Sequence, residues 1–446
     1  MKFIDTLKNV WKIEELRNRI MVTLGLLLVY RFGAQVTLPG IDASMLGSFA
    51  GKFDSGIGGL LNAFTGGAFA KASVFALGIM PYISASIVVQ LMQIAVPYLQ
   101  KLQKEGESGR KKINQITRWL TIGICLVQAP SYLAGLPALG VPAEAFILGQ
   151  TPMFYISSVI ILVTGTIFAM WLGEKITDKG IGNGISILIM VGIIANLPLS
   201  FAQEFASRVL ESNGGLIMIL IELVIWFVII LASVMLVMAV RKIPVQYARR
   251  TASGEYEKNI FGARQFIPLK LNASGVMPII FAQAIMFVPS AVAGLSDSAF
   301  AQSLQANFSD IFGLWYNLLF AALIIIFTYF YTAITVPTNK MADDLKRSGG
   351  FIPGIKPGTD TAEVLDRIMS QITLPGSVFL ALIAIFPAIV VKLIGIQQGW
   401  ALFYGGTSLL IMVGVAIDTM QQINSYLLNR HYDGLMKSGK NRKAVA

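Results

Sequence analysis

The sequence predicts an all-α polytopic membrane protein, with about ten transmembrane helices arranged as two inverted five-helix halves around a central pathway. Three observations point there: the composition, the spacing of the apolar runs, and an internal repeat.

Of the 446 residues, 55% are hydrophobic and 13% charged, against about 45–50% and about 25% in soluble domains. Mean hydropathy is +0.68. A soluble core cannot hide so much apolar surface, so lipid is the expected solvent. One cysteine (Cys125) and one histidine (His431) exclude a disulfide framework and any Cys/His metal site built within the chain. No metal and no cofactor are expected. The first 20 residues, "MKFIDTLKNVWKIEELRNRI", lack the small-residue cleavage site of a removable signal. Phe3, Ile4, Leu7, Val10 and Trp11 fall near one helical face. Residues 1–19 therefore suit an interfacial helix, and equally a solvated helix leading into the first span.

Apolar runs of about 20 residues, the length that crosses a bilayer, lie near 20–38, 73–96, 119–140, 153–173, 183–202, 214–239, 272–295, 313–337, 372–394 and 400–426. Basic residues then orient them. They crowd the N-terminus, the second-to-third loop (Lys101 to Arg118), the sixth-to-seventh loop (Arg241 to Lys270) and the tail (Lys437 to Lys443). The alternate loops carry few: Lys52, Lys71, Arg208 and Lys392. An even number of spans with both termini in the cytoplasm fits this pattern. The net charge of +11 is then an orientation signal and a cytoplasmic docking face; it does not imply nucleic-acid binding. The organisation is 1–19, an N-terminal helix; 20–202, spans one to five; 203–426, spans six to ten; and 427–446, a basic, partly disordered tail. The largest polar loops, 240–271 and 338–371, are too short for soluble domains and read as docking arms. The first contains "VQYARRTASGEYEKNIFGARQF", which suits a hairpin about Ser253-Gly254.

Self-comparison gives the halves. "GIMPYI" (Gly78 to Ile83) in span two resembles "GVMPII" (Gly275 to Ile280) in span seven. "GISILIMVG" (Gly184 to Gly192) in span five matches "GTSLLIMVG" (Gly406 to Gly414) in span ten at seven of nine positions. Pairing two with seven and five with ten is the order expected of two five-helix copies. Five is odd, so the second copy enters from the opposite side, and inverted repeats of this kind meet at a central pathway. Ile83, Ile189, Ile280 and Ile411 all sit in the repeated elements. They read either as ordinary packing and lipid-facing isoleucines or as a shared central feature. Midplane charges, which a solute transporter needs, are nearly absent: Glu222 and Asp418 lie toward span ends. Branched apolar side chains would instead make a dry constriction that repels ions by dewetting.

One stretch resists this frame. Leu60 to Ala70 reads as a short apolar helix broken by Gly66 and Gly67, far too short to span, directly before a span that is long enough.

Five segments resemble the SecY family, the central subunits of bacterial Sec protein-conducting channels. They are "ALGIMPYISASIVVQLM" (Ala76 to Met92), "WLGEKITDKGIGNGISIL" (Trp171 to Leu188), "KEGESGRKKINQITR", "FYTAITVPTNKMADDLKRSGGFIPGIKPG" and "FYGGTSLLI", in the family's order. The resemblance covers about Arg17 to Leu427. It implies an hourglass pore, a passive channel with no enzymatic activity, and a place in the bacterial cytoplasmic membrane. It also implies that the stub at 60–70 is a plug, through Leu60, Leu61, Phe64, Gly66, Gly67 and Phe69. A half-length apolar helix can fill a protein-lined cavity, and glycines lower the cost of displacing it; a helix–turn that never moves is the alternative. Matched through the motifs, the family's pore ring falls on Ile79, Ile83, Ile185, Ile189, Ile280 and Ile411. The lateral gate falls on Ser84, Ser86, Gln90 and Asn272; amides there hold helices by hydrogen bonds of about 1 kcal/mol, or simply pack. Partner docking falls on Arg249, Arg250, Arg264, Lys346, Arg347 and Lys356. The implied partners are SecE-like and SecG-like small subunits, a SecA-like motor ATPase, the ribosome, signal sequences and nascent chains, accessory insertase or SecDF-like proteins, and anionic lipids. Two places depart from the family. The loop tip "TASGEYEK" has Gly254 and Glu255 where adjacent basic residues are usual, and "GIKPG" puts Lys356 in place of an arginine, keeping the charge without the bidentate fork.

"GLMKSGKN" (Gly434 to Asn441) is a failed phosphate loop: Asn441 replaces the magnesium-binding hydroxyl, and no strand precedes it. "DKGIGNGIS" shapes the start of a span rather than a dinucleotide site. A secondary transporter and an intramembrane enzyme are the rival readings, and neither has a polar constellation in its support.

Overall fold

In a computed structural model of the chain, the described residues are 11, 13–46, 56–137, 141–147, 149, 151–210, 215–247, 265–293 and 310–443. Phe3, Ile4, Leu7 and Val10, expected in an N-terminal helix, Ser253-Gly254, and the docking candidates Arg249, Arg250 and Arg264 lie outside them.

Each of the ten apolar runs falls on a helix of its own. In chain order the elements are α1 (Glu14–Gly33), the stub α2 (Gly56–Thr65), α3 (Met80–Ala95), α4 (Pro97–Lys104), α5 (Glu107–Gly135), α6 (Pro152–Lys179), α7 (Gly184–Leu210) and α8 (Gly215–Met238). Strands β1 (Val240–Tyr247) and β2 (Gln265–Lys270) follow, then α9 (Met277–Ala293), α10 (Leu314–Thr335), α11 (Thr338–Arg347), β3 (Gly350–Phe351), α12 (Thr359–Ile394), α13 (Gln398–Ala401) and α14 (Gly406–Lys443). Among the described residues, six helices have both the length and the apolarity to cross a membrane unaided: α6, α7, α8, and those holding α10, α12 and α14. The other runs form shorter or more polar helices.

Several ends differ from the sequence reading for identifiable reasons. Span three begins early, because the charged "ESGRKKINQITR" continues the helix from Glu107, just after Gly106 at φ +73°. Span two begins late. Residues 73–79 form turns instead, tied to the exit of α1 by Val74 N to Val36 O and Leu38 N to Ala72 O, both 2.9 Å. Irregular backbone at membrane depth is tolerated where protein surrounds it, and Ser73, Phe75, Ala76 and Ile79 are all buried. At the other end, Pro97 drives Val96 into an extended conformation (φ −103°, ψ 113°), and the chain bends by 100° between α3 and α4. The tail expected to be partly disordered is helical to Lys443, and no proline interrupts Gly406–Lys443.

The chain divides into two compact units. One comprises Met1–Gly215, Gln397–Leu402 and Val415–Ala446; the other comprises Leu216–Ile396 and Phe403–Gly414. The core of the first gathers Leu38, Phe69, Tyr132, Leu133, Phe146 and Phe154. In the same unit, Arg208 Nε meets Glu204 Oε1 at 2.8 Å, both side chains buried, and Gln397 N donates to Glu204 Oε2 at 2.9 Å. An ion pair that deep is tolerated because the spare carboxylate oxygen is also satisfied.

The core of the second unit gathers Ile279, Ala282, Met286, Tyr316, Phe320 and Leu380. Its polar loops are more than separate arms. β1 pairs antiparallel with β2 (Ile243 opposite Ile267, Val245 opposite Gln265) and with β3, in the order β2-β1-β3. β1 and β2 thus pair as the arms of the expected hairpin do, while its expected turn lies outside the described residues. Alternation along "VRKIPVQY" buries Ile243 and Val245, and they join Leu269, Leu345, Ile352 and Leu365 in a small core of their own.

Candidate functional site

Ten residues of α2 give about 15 Å of helix, half of the roughly 30 Å hydrocarbon core, so the stub cannot span. Its end is set by the glycine pair. Gly67 N donates to Asn62 O (2.9 Å) and Gly66 N to Ala63 O (3.3 Å), with Gly66 left-handed at φ +65°. This is a Schellman cap, so Gly66 and Gly67 close the helix at Thr65 rather than hinge its middle. The chain then winds back on itself: Thr65 Oγ1 accepts from Phe69 N (3.1 Å), and Asn62 Oδ1 from Ala70 N (3.1 Å).

A polar seat holds this element within the first unit. Asn196 Nδ2 on α7 donates to Asn62 O at 3.1 Å, and Arg31 Nη1 on α1 donates to Gly66 O at 3.1 Å. Tyr132 OH on α5 donates to Phe69 O at 2.8 Å, with the two rings 4.9 Å apart. The closest approach is to α7. A Cβ on Gly192 would stand 2.6 Å from Phe64 O, so only glycine lets the stub's backbone lie on that helix. Leu61 is half-buried, while Asn62, Phe64 and Phe69 are buried. Leu60 lies in the helix.

The six isoleucines cluster at helix starts. Ile79 precedes α3 and is buried; Ile83, in its first turn, is half-buried. Ile185 and Ile189 occupy the first two turns of α7. Ile189 is buried, and half-buried Ile185 packs on α6, its Cγ1 2.9 Å from where a Cβ on Gly173 would lie. In the second unit, Ile280 is half-buried in the first turn of α9, and Ile411 is buried in the second turn of α14. The repeat thus reappears as structure. Gly78 and Gly275 both have positive φ and each stands two residues before a helix, and α7 and α14 both begin at the repeat glycines Gly184 and Gly406.

Ser84, Ser86 and Gln90 lie half-buried along α3, where Gln90 Nε2 donates to Ser86 Oγ at 3.3 Å. Asn272 is buried ahead of α9 and accepts from Ser274 Oγ at 3.2 Å. Among the described residues, these side-chain hydrogen bonds run within their own segments. Lys346 and Arg347 are exposed in the last turn of α11; Lys356 is exposed too, its carbonyl accepting from Thr361 Oγ1 at 2.8 Å.

Sequence reasoning missed Arg31, Asn62 and Asn196, which make the seat. A charged residue in a predicted span was the available signal for Arg31. It also read Arg208 as a loop charge, although it pairs with Glu204 inside α7. Among the described residues, no cluster of three His, Cys, Asp or Glu side chains could hold a metal.

The fold has solved counterparts. The chain superposes on a protein-conducting channel with a TM-score of 0.59 and 16% identity, covering 92% of each chain. A SecY channel whose plug domain is described as stabilising the closed state and maintaining a membrane seal gives 0.60, with the same identity and coverage. Sec61 in the canine ribosome–channel complex gives 0.54. The class is therefore a multi-pass membrane protein, its spans all helical, with the fold of protein-conducting channels. The SecY family profile matches residues 73–420. The SecY translocase subunit of Halalkalibacterium halodurans is 40% identical over 97% of this chain and 99% of its own length. That of Chlamydia trachomatis is 36% identical over 98% of each. The chain belongs to the SecY family. It is a subunit of a protein-conducting translocation channel, not an enzyme.

Proposed function

We propose that the chain passes unfolded secretory polypeptides across a bacterial cytoplasmic membrane, with both termini cytoplasmic, and releases apolar segments sideways into lipid. The stub α2 with its glycine cap is the plug of the resting channel. Ile79, Ile83, Ile185, Ile189, Ile280 and Ile411 form the constriction: an apolar collar that offers a passing chain no hydrogen bond and holds back ions by dewetting. Ser84, Ser86, Gln90 and Asn272 belong to the lateral gate. A segment in the open gate samples water and lipid. About 20 apolar residues partition into the bilayer, and polar stretches continue through the collar. Selection therefore rests on the transfer free energy of the substrate.

The small sheet β2-β1-β3 with α11 carries Lys346, Arg347 and Lys356, and with Arg249, Arg250 and Arg264 it serves as the docking face for a SecA-like motor and the ribosome. Ribosome-bound relatives support this reading: Sec61 in the canine complex, and the yeast Ssh1 complex on the 80S ribosome. SecE-like and SecG-like subunits, accessory insertase or SecDF-like proteins and anionic lipids complete the assembly, and the membrane potential assists the motor.

The observation that carries the proposal is the seat itself. An apolar helix too short to span is held through backbone carbonyls by Asn196 and Arg31, against a glycine of α7. Both bonds end on the stub's backbone carbonyls, so both are given up together when the stub leaves its seat. In a Cys125→Ser background, cysteines at Phe64 and Ile193 should be joined by a short thiol crosslinker in the idle channel. That link should be lost while a secretory chain is arrested in transit. A link that persists during unimpaired transport contradicts a moving plug.

A further inference from the structure

A guanidinium within a span is costly unless it is partnered. Arg31 lies in the last turn of α1, where a cation is favourable beside a helix C-terminus. That alone does not explain its reach: Nη1 crosses to the carbonyl of Gly66, 35 positions along the chain. The stub's own cap closes on the carbonyls of Asn62 and Ala63, and the Gly66 carbonyl accepts from Arg31 of another helix. The two residues are also sterically matched. A Cβ on Gly66 would collide with the Arg31 guanidinium, and would stand 2.9 Å from Gly192 Cα. Glycine at 66 thus serves the left-handed cap and also clears the space that the arginine fills.

We propose that Arg31 is the positioning residue that keeps the stub seated. Its bond to Gly66 is made when the stub is home and given up when the stub leaves, so Arg31 sets the ratio of seated to displaced stub in the idle channel. The inference rests on the plug reading above and adds to it the residue that controls the resting state. Asn196 makes a neutral bond to the stub, whereas Arg31 makes the charge-assisted one, and charge-assisted bonds are the stronger kind. Losing it should shift the ratio by about tenfold or more toward the displaced state.

The test uses the assembled channel complex in proteoliposomes, with no secretory substrate present. Two quantities are read: ion conductance across the membrane, and amide hydrogen exchange in Leu61 to Ala72. Arg31→Ala should raise the conductance several-fold and speed exchange in that segment by about tenfold or more, leaving exchange in α5 and α6 unchanged. Arg31→Lys, which keeps the charge but presents a single-point donor, should fall between. Wild-type conductance and exchange in Arg31→Ala would overturn the proposal. So would exchange that rises equally through α5 and α6, because Arg31 would then be holding the fold rather than the stub. A chain lacking residues 56–65 separates the two readings. If it leaks and Arg31→Ala does not, Arg31 has no controlling role. If it seals as well as wild type, the plug reading itself fails.

Discussion

Gly78 and Gly275 hold the same place in the two copies of the repeat, with φ of +55° and +64°, two residues before α3 and α9 begin. Their surroundings differ. A Cβ on Gly78 would stand 3.0 Å from Thr65 Cγ2 of the stub, whereas one on Gly275 would meet nothing within 4 Å among the described residues. The other repeat pair behaves alike. Gly192 lies under the backbone of Phe64 and Gly66, while its counterpart Gly414 would bring a Cβ only to 3.4 Å from a methyl of Val276. Both motifs of the first copy therefore face the stub, and among the described residues their equivalents in the second have ordinary packing or no neighbour. The repeat supplies one local geometry twice; among the described residues, the first copy alone uses it to seat an inserted helix.

The comparison can be broken by adding single side chains, and the largest effect is expected at Gly192. Gly192→Val puts a branched side chain where the stub's carbonyl lies 2.6 Å from the Cβ position. Neither α7 nor a backbone oxygen can yield that distance, so the stub should leave its seat. The idle channel should then conduct ions, and the Phe64–Ile193 crosslink should fail. A tight channel with an intact crosslink would show that the stub is not packed on α7 as described.

Gly78→Ala and Gly275→Ala sharpen the contrast at equal backbone cost. An L-residue in the left-handed region costs roughly 1–2 kcal/mol, and both substitutions carry that penalty. Only Gly78→Ala also presses on Thr65, so it should destabilise the seated stub further, read as faster exchange in Leu61 to Ala72. Gly275→Ala should leave exchange there at the wild-type rate. Equal acceleration by both would mean that the stub does not distinguish the copies.

The smallest effect is expected at Gly414. It lies inside α14, where alanine is favoured over glycine by about 1 kcal/mol, and 3.4 Å to a methyl needs only a slight adjustment. Gly414→Ala should match or slightly exceed wild type in thermal stability and should seal normally.

The helices were legible because lipid allows few alternatives to them, so a run of about 20 apolar residues nearly dictates its own conformation. The pairing of β1 with β2 was legible in outline: a hairpin about Ser253-Gly254 sets the segments on either side opposite one another, whereas the burial of Ile243 and Val245 on one face of β1 was not read from the sequence. What stayed hidden depends on contacts distant in sequence. β3 joins β1 across about a hundred residues, at Gln246 opposite Phe351, and that pairing turns two loops into one small layer. The limits of the stub were misjudged because Gly66 and Gly67 looked like a break within it. Only the bonds of Gly67 N to Asn62 O and Gly66 N to Ala63 O reveal a cap.

The seat was the least visible part. Arg31, Asn62 and Asn196 come from three helices, and each alone looks like a stray polar residue in an apolar run. The isoleucines were easier, since the repeat singles out four of them: Ile83, Ile189, Ile280 and Ile411. Their neighbours are another matter. Ile185 packs on α6 beside Gly173, a contact that no motif announces.

Site-specific photocrosslinking tests the central claim, that an export substrate moves through an apolar isoleucine collar. A photoreactive residue would be placed at Ile83 and, separately, at Ile411, with a secretory chain arrested midway in the assembled channel. Strong adducts to the arrested chain at both positions, absent from the idle channel, are the predicted result. An arrested chain that labels neither position would contradict the account.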